Sequence, residues 1–111
     1  MSEKLKAILD ELRSCFEEIY GDRLVKMVLF GSQARGEANA DSDIDVLVVL
    51  KGQVNPGEEI KRSSQVVADL SLQYDEVISR LFMDEHQFIH RNSPLLRNIR
   101  KEGIVLGQTS S

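Results

Sequence analysis

"LVKMVLFGSQARGEANADSDIDVLVVL", residues 24–50, decides the fold. Leu24 to Phe30 is rich in Val, Leu, Met and Phe and reads as a buried strand that Gly31 ends. Ten residues follow Gly31-Ser32 before Asp43-Ile44-Asp45, and the chain then turns wholly apolar from Val46 to Leu50. An unbroken run of that kind suits a central strand covered on both faces. Residues two apart in a strand point to the same side, so Asp43 and Asp45 project two carboxylates from one face while Ile44 enters the core.

Outward from this segment the pattern is helical on both sides. Leu5, Ile8, Leu9, Leu12, Phe16 and Ile19 keep helical spacing over residues 3–20, with charges on the opposite face, and Gly21 stops the helix. Downstream, Asn55-Pro56-Gly57 breaks the chain, and Ile60, Val67, Leu70 and Tyr74 then define a second amphipathic helix to about residue 73. Glu76 to Phe82 reads as a third strand. Asp84 and Gln87 predict a capping box on a short helix to His90. Ser93-Pro94 predicts the start of a basic helix that runs to Lys101 and stops at Gly103, and residues 104–106 predict a small edge strand. The order is that of an α/β or α+β sandwich, with helices covering a small sheet.

Bulk properties narrow the function. A chain of 111 residues with 41% hydrophobic content fits one domain, taken here as residues 1–107 with a frayed tail at 108–111. The net charge of -4 opposes general nucleic-acid binding, which needs clustered basic surface. The single cysteine, Cys15, excludes an internal disulfide and a thiolate-rich metal site, and is expected to pack at the core edge. The charged N-terminus lacks the apolar segment of a signal peptide, and no apolar run approaches the ~20 residues of a membrane span. The expectation is a soluble cytoplasmic protein without membrane attachment.

Two carboxylates held a few ångströms apart raise each other's pKa unless a cation lies between them. Oxygen ligands of this type suit magnesium or manganese, which complete their shells with water and substrate phosphates. Gly31 lets the backbone approach a phosphate, the turn that follows it offers free N–H groups, Ser32 adds a hydroxyl, and Arg35 could reach a further phosphate oxygen. Together these residues describe a clamp for a metal-bound nucleoside triphosphate.

The motif Gly31-Ser32, ten residues, Asp43-Ile44-Asp45, with Ala34-Arg35-Gly36 inside the loop and Ser42 before the first aspartate, resembles the minimal nucleotidyltransferases of the DNA polymerase β-like superfamily. The resemblance implies a small mixed sheet flanked by helices and transfer of a nucleoside monophosphate, AMP from ATP, to a hydroxyl. It implies that Asp43 and Asp45 are catalytic and hold two Mg2+ ions, and that Gly31 and Ser32 bind the β- and γ-phosphates. It also implies a HEPN-domain partner, with the chain acting as the antitoxin of a toxin–antitoxin pair by adenylylating the toxin. The family pattern includes a third carboxylate on the next strand, and that position falls on or near Ser79, with Glu76 on the opposite face of a regular strand. A module that silences its partner by stoichiometric binding is the alternative this departure raises. A homodimer is left open.

Other candidates carry less chemistry. His86 and His90 have a zinc-compatible spacing but no third ligand in the sequence, and read as a surface or interface pair. Arg91, Arg97, Arg100 and Lys101 form either a solvated helix face or a contact surface for a partner or a triphosphate tail.

Overall fold

The computed structural model describes residues 1–37, 39 and 42–107. The expected tail at 108–111, and Ala38, Ala40 and Asp41 of the polar loop, lie outside the described residues. Helix α1 (Glu3–Tyr20) leads through a 3-10 turn (Gly21–Arg23) to β1 (Leu24–Phe30) and the short α2 (Ser32–Arg35). There follow β2 (Ile44–Leu50), α3 (Pro56–Tyr74), β3 (Ile78–Asp84), α4 (Glu85–His90), α5 (Pro94–Glu102) and β4 (Ile104–Val105). The sheet order is β3-β2-β1-β4. β1 pairs antiparallel with β2 and β4, whereas β2 and β3 are parallel, so the sheet is mixed.

The alternation of each strand divides the core in two. Met27, Leu29, Ile44, Val46, Val48, Ile78 and Phe82 face α1 and α3, where Leu12, Phe16, Val67 and Leu70 cover them. Phe16 stacks on Phe82 with ring centroids 6.2 Å apart. On the other face Val28, Leu47, Val49 and Met83 pack under Leu96 and Ile99 of α5, with Phe88 of α4 beside them. Val46 to Leu50 are fully buried, as expected of a central strand.

The helix ends follow their capping chemistry. Ser2 Oγ accepts from Leu5 N at 3.1 Å, the Asp84–Gln87 capping box is complete, and Ser93 Oγ accepts from Leu96 N at 3.2 Å ahead of Pro94. Arg100 ties α5 to the end of α4, donating to the carbonyls of Phe88 and Arg91. No helix among the described residues is long and apolar enough to cross a membrane.

Two readings of the sequence are corrected. Ile60 is 44% exposed, and the inward positions of that turn of α3 are Glu59 and Ser63. The cause is a polar seam. Glu59 is held by Arg62 at 3.0 Å and Arg23 at 3.8 Å, and Ser63 Oγ accepts from Arg80 Nε at 2.7 Å. The third strand begins at Ile78, not Glu76, because Asp75 takes a left-handed conformation (φ 54°) and Glu76 N donates to Ser71 O, closing α3 before the strand can start.

Candidate active site

The loop between β1 and β2 is built on Gly31. Its φ of +76° turns the chain out of the strand, and its carbonyl accepts from Ala34 N at 3.1 Å and Arg35 N at 3.2 Å to start α2. Gly36, also at positive φ, ends that turn, and Glu37 N returns to Ser32 O at 3.0 Å. Ser42 anchors the far side. Its hydroxyl accepts from Asn39 N at 3.0 Å, and its carbonyl accepts from Gln33 Nε2 at 3.4 Å, linking the loop to α2 just before Asp43.

Asp43 is exposed immediately before β2, and Asp45 is partly buried on the strand. Asp45 pairs with Phe30 of β1 on one side and Ser79 of β3 on the other. It lies on the face shared by Leu47 and Val49, beneath which α5 packs. Burial raises the Asp45 pKa above the usual carboxylate range, and the neighbouring charge of Asp43 raises it further. The spacing thus brings the two acids into mutual repulsion, the condition a bound cation would relieve. A Cβ on Gly31 would stand 2.6 Å from Asp45 Oδ2, so the glycine and the carboxylate are in direct contact. The two halves of the motif form one surface.

Arg35 is placed differently from a free phosphate ligand. Its guanidinium bonds Glu37 at 3.0 Å and reaches Glu102 of α5 at 3.6 Å. Glu102 was not singled out in the sequence, since it joins the site only through the packing of α5. Gly103, read there as a helix stop, is also a contact: a Cβ would meet Ile99 O at 2.4 Å and Val28 Cγ1 at 2.5 Å.

Ser79 stands in register with Asp45, where the expected third carboxylate would lie. Glu76 is engaged elsewhere. It is bound to Lys4 at 3.0 Å and, with Ile8 and Ile44, lines a cavity of about 380 Å³ on the α1 side of the sheet. Among the described residues no group of three or more His, Cys, Asp or Glu is arranged to hold a metal. His86 and His90 contact each other, with ring centroids 4.3 Å apart. The donor set at Asp43, Asp45 and Ser79 is oxygen alone, which fits a hard divalent cation that keeps positions open for water and phosphate.

Comparison with known proteins agrees with this geometry. A relative from Methanocaldococcus jannaschii, provisionally named a protein adenylyltransferase, is 34% identical over 88% of this chain and 93% of its own length. A second protein of that organism with the same provisional name is 35% identical over 65% of this chain and 72% of its own length. A third is 41% identical over 67% of this chain, which spans about half (49%) of that relative's length. A toxin–antitoxin structure with AMP-PNP superposes with a TM-score of 0.62 at 19% identity, covering 98% of this chain and 76% of the other. A Sulfolobus solfataricus protein provisionally named a nucleotidyltransferase gives 0.57 at 25% identity, covering 93% and 76%. An MntA–HpeT toxin–antitoxin variant gives 0.63 at 14%, covering 92% and 74%. The fold is therefore the α/β, polymerase β-like type with a small mixed sheet between helices. The sequence profile of the nucleotidyltransferase domain matches residues 9–106, and the chain belongs to that family of enzymes.

Proposed function

We propose that this nucleotidyltransferase transfers AMP from ATP to a hydroxyl on a partner protein, a HEPN-domain toxin that it counters as antitoxin in the cytoplasm, with residues 1–107 acting as one domain. The contact of Gly31 with Asp45 carries the reading, because it joins a phosphate-approaching turn to a pair of same-face acids. The names of the relatives support protein adenylylation, and the toxin–antitoxin neighbours, one with AMP-PNP, support a nucleotide and a toxin as the two ligands.

In this reading Asp43 and Asp45 hold Mg2+, Gly31 and Ser32 receive the β- and γ-phosphates, and Arg35 leaves Glu37 or Glu102 to bind a phosphate oxygen. Magnesium, when bound, stabilises charge on the attacking and leaving oxygens. The chain itself supplies orientation. Gly31 fixes the distance between phosphate loop and carboxylates, Ser42 holds the loop against α2, and burial of Asp45 keeps one wall of the site away from water. The hydroxyl oxygen of the acceptor forms its bond to the α-phosphorus as the bond from that phosphorus to the bridging oxygen breaks, pyrophosphate leaves with the electron pair, and the hydroxyl proton passes to water.

The test is incubation of the chain and its partner with α-labelled ATP and Mg2+, with mass analysis of both proteins. AMP on the partner, absent with Asp43→Asn, is the expected result. Ser79 in the register position of a third acid supports a second reading, in which the chain silences its partner by binding alone. Neutralisation of the toxin by an Asp43→Asn/Asp45→Asn variant that transfers no AMP would favour that reading.

A further inference from the structure

β3 brings a nucleophile to the clamp. Ser79 lies beside Asp45 in the parallel β2–β3 register, and adjacent strands are about 4.8 Å apart. Its side chain shares the face of Asp45, as the packing of Leu81 and Met83 beside Leu47 and Val49 shows. Ser79 is exposed, and among the described residues its hydroxyl has no hydrogen-bond partner. The strand behind it is fixed, because Arg80 donates to Ser63 Oγ at 2.7 Å and to Ile60 O at 2.7 Å on the other face.

We propose that Ser79 is a self-modification site: its hydroxyl accepts AMP from the nucleotide held at Asp43 and Asp45 of the same chain. This rests on the nucleotidyl-transfer reading given above. Ser79 Oγ forms a bond to the α-phosphorus, and the bond from that phosphorus to the oxygen bridging to the β-phosphate breaks. Pyrophosphate leaves with the electron pair, and the hydroxyl proton passes to water. The ester stands beside Asp45 on β3, and each chain carries one such hydroxyl, so it modifies itself at most once.

The experiment incubates the full chain alone, and in a second reaction with its partner, in α-labelled ATP and Mg2+, followed by intact mass and peptide mapping, with ATP binding measured in parallel. The expected result is up to one AMP per chain, located on Ser79. The rate per chain does not change with chain concentration, as a reaction within one chain requires. Ser79→Ala loses the label while keeping its circular dichroism, Ser79→Thr retains it, and Asp45→Asn loses it. Label on another residue, label persisting in Ser79→Ala, or a rate that rises with chain concentration overturns the proposal. An unlabelled chain that still binds ATP and labels its partner also overturns it while leaving nucleotidyl transfer intact. A chain that neither binds ATP nor labels any protein overturns both.

Discussion

The α-carbon of Gly31 abuts the carboxylate of Asp45, leaving no room for a Cβ, which would lie 2.6 Å from Oδ2. The same glycine holds φ at +76°, a conformation other residues adopt only with strain. Gly31→Ala therefore combines backbone strain of about 1–3 kcal/mol with displacement of Asp45. Urea denaturation is expected to show a loss in that range, and calorimetric titration a larger proportional loss of ATP binding. Unchanged ATP binding would mean that the loop and the acid work independently.

Asp45 makes stability depend on pH. Burial and Asp43 raise its pKa in the folded state, so the native protein binds this proton more tightly than the unfolded chain does. Stability contributed by this group is present below the ordinary carboxylate pKa and is lost as pH rises through the raised one. Asp45→Asn, which cannot ionise, is expected to gain stability relative to wild type at pH 7 and to lose that advantage in acid. Denaturation midpoints at pH 4 and pH 7 decide it. Added Mg2+ should raise the wild-type melting temperature at pH 7 and leave that of Asp45→Asn nearly unchanged.

Arg35 starts from a paired position. Glu37 and Glu102 both hold its guanidinium, so in the proposed reading ATP draws it away from them. Removing one carboxylate by Glu102→Gln is expected to tighten ATP binding at most a few-fold, because an exposed ion pair holds its partners weakly. Arg35→Ala is expected to weaken it. Equal affinities in all three proteins would remove Arg35 from the phosphate site.

Glu59 offers a control remote from the chemistry. Its carboxylate is buried between Arg62 and Arg23, and it helps to raise the pKa of the Tyr20 phenol, which burial raises most. Glu59→Ala is expected to cost about 1–3 kcal/mol, since the two arginines retain access to water. ATP affinity at 25 °C should stay unchanged, and a loss of binding equal to that of Gly31→Ala would show that the seam shapes the site.

Gly103→Ala tests the packing of α5 on the sheet. Its Cβ would press on Val28 and the Ile99 carbonyl, and overpacking of this kind costs about 1–3 kcal/mol. A midpoint within error of wild type would mean that α5 shifts without cost.

The site was legible in the sequence to the extent that it is local. Gly31 and Ser32 open one turn, and Asp43 and Asp45 flank the first residue of one strand, where residue type and a period of two decide direction. Ser79 is reached only through the family resemblance, whose third carboxylate falls on or near it in the next strand. What escaped depended on distant partners. The spacing of Ile60 with Val67 described an apolar face, yet Glu59 and Ser63 are inward because Arg23 and Arg80, from other parts of the chain, meet them there. The start of β3 moved because Asp75 adopts a left-handed backbone, which an aspartate's sequence position does not announce. Glu102 entered the site only when α5 had been packed.

The mixed pairing of β2 carries a consequence for the order of folding. β1 and β2 meet antiparallel across one loop, a closure of low sequence separation that assembles Gly31, Ser32, Asp43 and Asp45 together. The parallel partner β3 can arrive only after α3 has crossed the sheet, so Ser79 is the last member of the constellation to be delivered. A nascent chain released before β3 docks would hold the loop and both acids without the hydroxyl beside them.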